Sequence, residues 1–404
     1  MKKLGCLSFC LLILGPVVAF AKTKAEIIVK NKLPKSIVDY TLEIPAGALK
    51  LDLGNYIAEI DSEIVPVELT RGINGQSVVV VPIREIGANQ KLKINISQGD
   101  ASLYPKRTYA ELIYKTGEEF KGNPKEEELL WVKNNSLTLP GSFRDHSYFL
   151  KYEGPGWEND KVAFRLYLDN RNAIDPFGKR TSDLVLPFVG VNDYNSYHKM
   201  AYWGMDNSRV GAGLGLGTVA VWDGKKAVRV EKRDSTTCII QADGKIRSQI
   251  KTIYHGWDAN GVKCDLTALI TIDAGSRASR MELLVDREMT NLATGINKYK
   301  DCELITEPDP KGEWTYIATW GRQTMNLELQ GLALFVRTRQ LEKITEDPNN
   351  HVVVFKPTDG GVIDYYFMPV WELDKEPVKT REHFMRCIDE VLDRLNDNLE
   401  IDIK

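Results

Sequence analysis

Five Asx-Gly dipeptides punctuate this sequence: Asn74-Gly75, Asp223-Gly224, Asp243-Gly244, Asn260-Gly261 and Asp359-Gly360. These pairs accept the positive φ that a two-residue hairpin turn demands, and that turn joins antiparallel strands. The runs around them are short and β-branched. Over 25–30, 37–44, 56–60, 76–83 and 91–97 they predict a small N-terminal β-sandwich spanning 22–98. The pattern fades over 99–145, which contains the turn Lys121-Gly122-Asn123-Pro124 and reads as a connecting segment. It resumes near Phe149 and continues to Trp371. Parallel strands would need crossovers of a dozen or more residues, and the spacing leaves no room for them. The fold class is therefore all-β, with a large antiparallel sandwich over 146–374 following the small one. The period then changes. Phe384, Ile388, Val391 and Leu395 recur as one apolar face, so 375–404 is expected to hold a C-terminal helix and a tail.

The start of the chain reads differently. Lys2 and Lys3 precede an apolar stretch, and Ala19-Phe20-Ala21 fits a small-x-small cleavage site. Residues 1–21 are expected to be a signal peptide, making the protein exported, periplasmic or secreted. Cys6 and Cys10 come too early for a lipid-anchored start, and Phe9 is bulky just before Cys10. Beyond this stretch no ~20-residue apolar run remains, so no integral membrane span is expected after signal removal. A net charge of -3 gives no reason to expect nucleic acid as a partner. Cys238, Cys264, Cys302 and Cys387 would remain, without a CxxC pair, and their spacing does not choose between free thiols and three disulfide pairings.

Gly211-x-Gly213-x-Gly215-x-Gly217 is the one glycine-rich run. Its spacing is not GxGxxG and no GKT follows, so nucleotide binding gives way to a tight turn, a packed aromatic or a flat sugar face. HExxH, paired His-x-His and GxSxG are absent from the sequence, and Asp258-Ala259-Asn260-Gly261 lacks the rest of a calcium loop. The expectation is a chain with no metal site and no cofactor.

Chemistry-bearing residues cluster elsewhere. Trp157-Glu158-Asn159-Asp160 precedes Arg165, then come Asp169, Arg171, Asp175 and Lys179. This group is either a salt-bridge network or the wall of a polar cleft. Tyr194, Tyr197, His198, Tyr202, Trp203 and Asp206 crowd a turn-rich segment where rings are poorly explained by strand packing. Exposed rings beside carboxylates suit carbohydrate, which offers apolar C–H faces and hydroxyls. Tyr254-His255-Gly256-Trp257 repeats the theme before a hairpin turn.

The run 157–167, then Ile174-Asp175-Pro176-Phe177-Gly178-Lys179, Tyr197-His198 and Trp203-Gly204-Met205-Asp206, resembles the bacterial family catalogued as domain of unknown function 4861. The resemblance implies an exported protein of polysaccharide-degrading systems, with a galactose-mutarotase-like super-sandwich. It implies work on carbohydrate and leaves the reaction open.

Three functions fit these residues. A lyase cleaving an acidic, uronic-acid-containing poly- or oligosaccharide by β-elimination would use His198 or His255 as base and Tyr197 or Tyr254 as acid. Arg165 or Lys179 would hold the substrate carboxylate. A glycoside hydrolase would draw a carboxyl pair from Glu158, Asp175 and Asp206. A sugar-binding protein or isomerase would need only an aromatic platform of Tyr202, Trp203 and Trp257, with Trp157 a further substrate-binding candidate.

Overall fold

The computed structural model describes residues 24–52, 54–116, 130–144, 149–191, 196–307, 310–396 and 398–404. The stretch 1–21 expected to be a signal peptide, the turn expected at 121–124 and Tyr194 lie outside the described residues.

Seven antiparallel strands build the N-terminal sandwich, in the order Ile37–Pro45, Ser77–Ile86, Glu63–Arg71, Tyr56–Ile60, Lys91–Gln98, Ala25–Asn31 and Leu399–Ile403. Strand Glu63–Arg71 pairs with Tyr56–Ile60 through Glu63 to Val67 and with Ser77–Ile86 through Glu68 to Arg71. It thereby passes from one layer to the other, and Ile27, Val29, Leu42, Ala58, Val81 and Ile94 fill the space between. Leu399–Ile403, expected only as a tail, is the outer strand beside Ala25–Asn31. Its single buried residue, Leu399, followed by four exposed ones, gives it little apolar signal of its own.

A nine-stranded antiparallel sheet dominates the rest. It runs from Ser136–Pro140 through Arg247–Ala259, Val262–Asp273 and Ile363–Trp371 to Glu303–Thr306. The hairpin between Arg247–Ala259 and Val262–Asp273 turns at Asn260 (φ 58°) and Gly261 (φ 87°), the positive-φ pair the dipeptide promised. Two five-stranded sheets cover one face of this large sheet. One has the order Gly204–Asp206, Ile174–Lys179, Ala163–Leu166, Gly156–Asn159, Thr108–Glu111, and the other runs from Ala227–Arg229 to Leu341–Glu346. Trp157, Phe164, Ile250, Leu266, Phe355 and Phe367 meet in the core between them. Segment 99–145 thus supplies strands to three sheets, Thr108–Glu111 to the first of the two five-stranded sheets, Ser136–Pro140 to the nine-stranded sheet, and Ile113–Thr116 with Leu130–Lys133 as a two-stranded sheet of their own.

Period-2 alternation gives the nine-stranded sheet a second apolar face. Leu332, Leu334 and Val336 point into the main core, while Ala333 and Phe335 point the other way. Helix Arg381–Leu395 packs there through Phe384, Cys387, Ile388 and Val391. Thr380 caps it by accepting from the His383 N–H at 3.2 Å. The expected all-β architecture, a small sandwich, a large super-sandwich and one C-terminal helix, is the one observed. No helix among the described residues is long and apolar enough to cross a membrane. Cys238, Cys264, Cys302 and Cys387 are free thiols.

The glycine run takes its structural reading. Gly215 (φ 61°) and Gly217 (φ 78°) sit where a side chain is strained, and a Cβ on Gly217 would lie 2.9 Å from the Phe367 ring. The run brings backbone against a packed aromatic.

Candidate functional site

Alternation also sorts the candidate residues. In the sheet containing Ala163–Leu166, the cross-strand pairs are Trp157↔Phe164, Glu158↔Ala163, Arg165↔Asp175 and Phe177↔Asp206. One face therefore carries Trp157, Phe164, Leu166 and Ile174 into the main core. The other carries Glu158, Arg165, Asp175, Phe177, Lys179 and Asp206. That polar face is roofed by the short turns Lys151–Glu153, Leu186–Phe188 and Ser196–His198, whose Tyr152, Leu186 and Tyr197 pack on Phe177 and Ala163.

Arg165 is the centre of this face and is buried. Its Nη2 donates to Asp206 Oδ2 at 2.6 Å, Asp175 Oδ2 at 2.9 Å and Tyr167 Oη at 2.7 Å. Its Nη1 donates to Tyr197 Oη at 3.0 Å and Glu153 Oε2 at 3.2 Å. The guanidinium also lies 4.6 Å and 5.1 Å from the Tyr167 and Tyr197 ring centroids. Arg171 extends the network, donating to Glu153 Oε1 at 2.8 Å and pairing with Asp169.

Two guanidiniums thus face four carboxylates: Glu153, Asp169, Asp175 and Asp206. Taking a fully buried carboxylate out of water favours its neutral form, and a second negative charge beside it does so again. Burial first, then the charge of Asp206, push the Asp175 carboxyl up to about 8. Its Oδ1 has no hydrogen-bond partner among the described residues.

His198 forms the solvent side of the network. Its side chain is 33% exposed, and Nδ1 lies 3.0 Å from Asp206 Oδ2. The angle of that contact falls outside hydrogen-bond geometry, leaving Nδ1 buried without a hydrogen-bonded partner among the described residues. Tyr202, in the same segment, is 72% exposed. Lys199 beside His198 is exposed as well.

The structure brings Arg165, Asp175, Asp206, Tyr197 and His198 together and separates the other candidates from them. Lys179 and Glu158 share the polar face but are sealed against each other, Nζ to Oε2 at 2.7 Å, with neither side chain exposed. Lys179 Nζ also donates to the carbonyls of Asn159 and Asp183, and Glu158 Oε1 accepts the Leu186 N–H. All three ammonium protons are used, so Lys179 has none left for a substrate carboxylate. Arg165 is saturated in the same way. Trp157 is a core residue, stacked on Phe164 and donating to Ser279 Oγ at 3.0 Å. Trp203 is buried against Phe177.

The second Tyr-His pair sits in strand Arg247–Ala259. A bulge between Tyr254 and Trp257, with Gly256 at φ 58°, resets the alternation, so both rings point into the core. Tyr254 Oη donates to Asn172 at 2.8 Å. His255 points outward and is 41% exposed, with Nδ1 3.1 Å from Asp265 Oδ2. An aromatic platform including Trp257 and an acid at Tyr254 are therefore corrected: both side chains are interior.

Glu153 and Tyr167 were not singled out by sequence reasoning. Tyr167 stands two residues after Arg165, the spacing that places it on the same face. Glu153 carries no such signal, because it reaches Arg165 from a turn in which Tyr152 and Glu153 have positive φ (36° and 73°).

Comparisons with known proteins follow from the whole chain. A family model described as Domain of unknown function (DUF4861) matches residues 29–401. Uncharacterized protein P7 of Formosa agariphila is 27% identical over 272 residues, covering 61% of this chain and 66% of the relative. Among solved structures, a protein in the glycosyl hydrolase family 38 from Enterococcus faecalis superposes with a TM-score of 0.47 at 8% identity, over 95% of this chain and 48% of that one. An alpha-mannosidase from Enterococcus faecalis V583 gives 0.46 at 8% identity, over 95% and 46%. The chain spans under half the length of these two structures and just under two thirds of the relative.

Proposed function

We propose that this chain, which belongs to the Domain of unknown function (DUF4861) family, is an exported carbohydrate-active enzyme that cleaves an acidic glycan by β-elimination at His198. The observation that carries the reading is the half-exposed His198 ring held 3.0 Å from Asp206, itself fixed by the buried Arg165. A carboxylate beside an imidazole offsets the positive charge that develops on the ring as it takes a proton. In the reaction His198 takes the C5 proton of a uronic acid. The electron pair forms the C4–C5 double bond, the C4–O bond breaks, and the leaving oxygen acquires a proton. Arg165 and Lys179 are spent internally, so exposed Lys199 beside the base is the cation assigned to the substrate carboxylate. Tyr202 supplies the exposed ring against which a sugar face can rest. Tyr197, with its hydroxyl turned onto Arg165, positions that guanidinium and is not the acid.

The test is incubation of the full chain with a panel of acidic polysaccharides and their oligosaccharides. Ultraviolet absorbance of the new double bond and reducing ends are followed together. Rising absorbance that disappears in His198→Ala supports the reading, and turnover undiminished in that variant sinks it.

One observation favours a hydrolase instead. Asp175, whose carboxyl is pushed up by burial and by the charge of Asp206, forms with it a carboxyl pair of unequal acidity, the feature acid-assisted glycoside hydrolysis uses. New reducing ends with flat absorbance, abolished by Asp175→Asn, would select that reading.

A further inference from the structure

Only two aromatic rings among the described residues are exposed, Phe188 and Tyr202, each at 72%. Both lie over the same polar sheet face. Phe188 closes the turn Leu186–Phe188, and Tyr202 follows the turn Ser196–His198 by four residues. The two turns are packed against each other. Val185, Leu186 and Val189 share one apolar cluster with Tyr197 and Trp203. Gly190, two residues beyond Phe188, comes so close to Tyr197 that a Cβ there would lie 3.3 Å from its ring. Met200 adds a third exposed apolar side chain to this roof. Everywhere else in the described molecule the rings are at least partly covered, so the exposed ones coincide with the neighbourhood of His198.

The backbone that carries Phe188 is firmly held. Two buried charged groups grip Leu186: Glu158 Oε1 accepts its N–H, and Lys151 Nζ donates to its carbonyl, both at 2.7 Å. The Phe188 N–H donates to the Val185 carbonyl at 2.9 Å. A flat apolar ring on a fixed backbone binds at low ordering cost, and a sugar offers the flat C–H face that suits it. A protein partner does not fit this patch. Two rings of ~150–250 Å² each fall short of the ~800 Å² that a stable interface buries on each side. Exposed Ser196 and Lys199 also interrupt it. We infer that Phe188 and Tyr202 form a paired sugar-stacking platform that holds a glycan chain beside His198. Phe188 thus fills the role expected of Trp203 and Trp257, which are interior. This platform rests on the carbohydrate reading of the site and is indifferent to the reaction that follows.

The test is affinity electrophoresis of the full chain through gels containing polygalacturonate, alginate or glucuronoxylan, with thermal melting of each variant as the folding check. Retardation by at least one polymer is expected. Phe188→Ala and Tyr202→Ala should each weaken it at least threefold, with melting unchanged. Phe188→Trp, which keeps a flat ring, should retain binding. Phe188→Leu, apolar but without a ring, should not, and it carries the comparison if Phe188→Ala melts early. His198→Ala should stop turnover yet leave retardation in place. If His198→Ala turns over normally while Phe188→Ala loses binding, the assignment of the base fails and the platform stands. Absence of retardation by all three polymers overturns the platform. So does an affinity indifferent to Phe188, or full binding in Phe188→Leu.

Discussion

The same dipeptide occurs twice in this molecule, and the two copies have different fates. In Tyr197-His198, the backbone forms a short turn over a charged sheet face. The tyrosine drops onto Arg165, and the histidine closes the network toward solvent. In Tyr254-His255, the backbone is a strand, which sends the tyrosine into an apolar core and the histidine to the far side. Both histidines stand near a carboxylate, at 3.0 Å and 3.1 Å. What separates them is the partner: Asp206 is buried and shared with Arg165, whereas Asp265 is half exposed. A charge pair in water is worth little, whereas removing one partner from a desolvated network leaves an uncompensated buried charge and costs about 3–5 kcal/mol. Residue type and adjacency do not define a site; the surroundings of the second carboxylate do.

That contrast can be broken at several points. The largest effect is expected for Arg165→Met, which leaves Glu153, Asp175 and Asp206 facing one another without their shared cation. A loss of about 3–5 kcal/mol in urea unfolding, or failure to fold, is expected. A change under about 1 kcal/mol would mean the network is not what holds this face. Next, His198→Ala should lower turnover by roughly 10²- to 10⁴-fold, the usual worth of a positioned base. His255→Ala should leave it within about twofold. Equal losses in both would erase the distinction.

The tyrosines give a smaller and more structural contrast. Tyr197→Phe removes a hydrogen bond to a buried charged group and should cost about 1.5–3 kcal/mol of stability. Tyr254→Phe removes a neutral one to Asn172 and should cost about 0.5–1.5 kcal/mol. Chemical denaturation of both variants decides the order.

A pH series sharpens the same point. The Asp175 carboxyl sits at about 8 when folded and near the usual ~3.9 when unfolded. Between these values the native state binds the extra proton, so this group makes stability fall as pH rises from about 4 to 8. Asp175→Asn has no proton to lose. Its stability should decline less over that window than the unaltered chain's, and parallel curves would refute the assignment.

Much of the fold was legible because it rests on local rules. Turn dipeptides and short β-branched runs marked the hairpins, and the recurrence of Phe384, Ile388 and Val391 at spacings of four and three marked the helix. The sheet face bearing Arg165, Asp175 and Asp206 was legible for the same reason, since alternation sets those charges opposite Phe164 and Ile174. The tryptophans were misread where a bulge intervened. Trp257 was expected at a strand end as part of an aromatic platform, and a one-residue shift at Gly256 turned it inward. Glu153 was invisible because it enters the network from a turn with no period at all. Leu399–Ile403 was missed because its strand identity comes almost wholly from the neighbour it pairs with.

That pairing has a consequence for how the chain is made. Lys30 and Glu400 are neighbours across two strands although 370 positions separate them in sequence. During synthesis strand Ala25–Asn31 emerges long before Leu399–Ile403, and the edge between them is open until that later strand follows. An unpaired strand edge invites pairing with other chains. The molecule is therefore a closed clasp whose hook is manufactured long after its eye. Its most vulnerable interval is the time between the birth of the eye and the arrival of the hook.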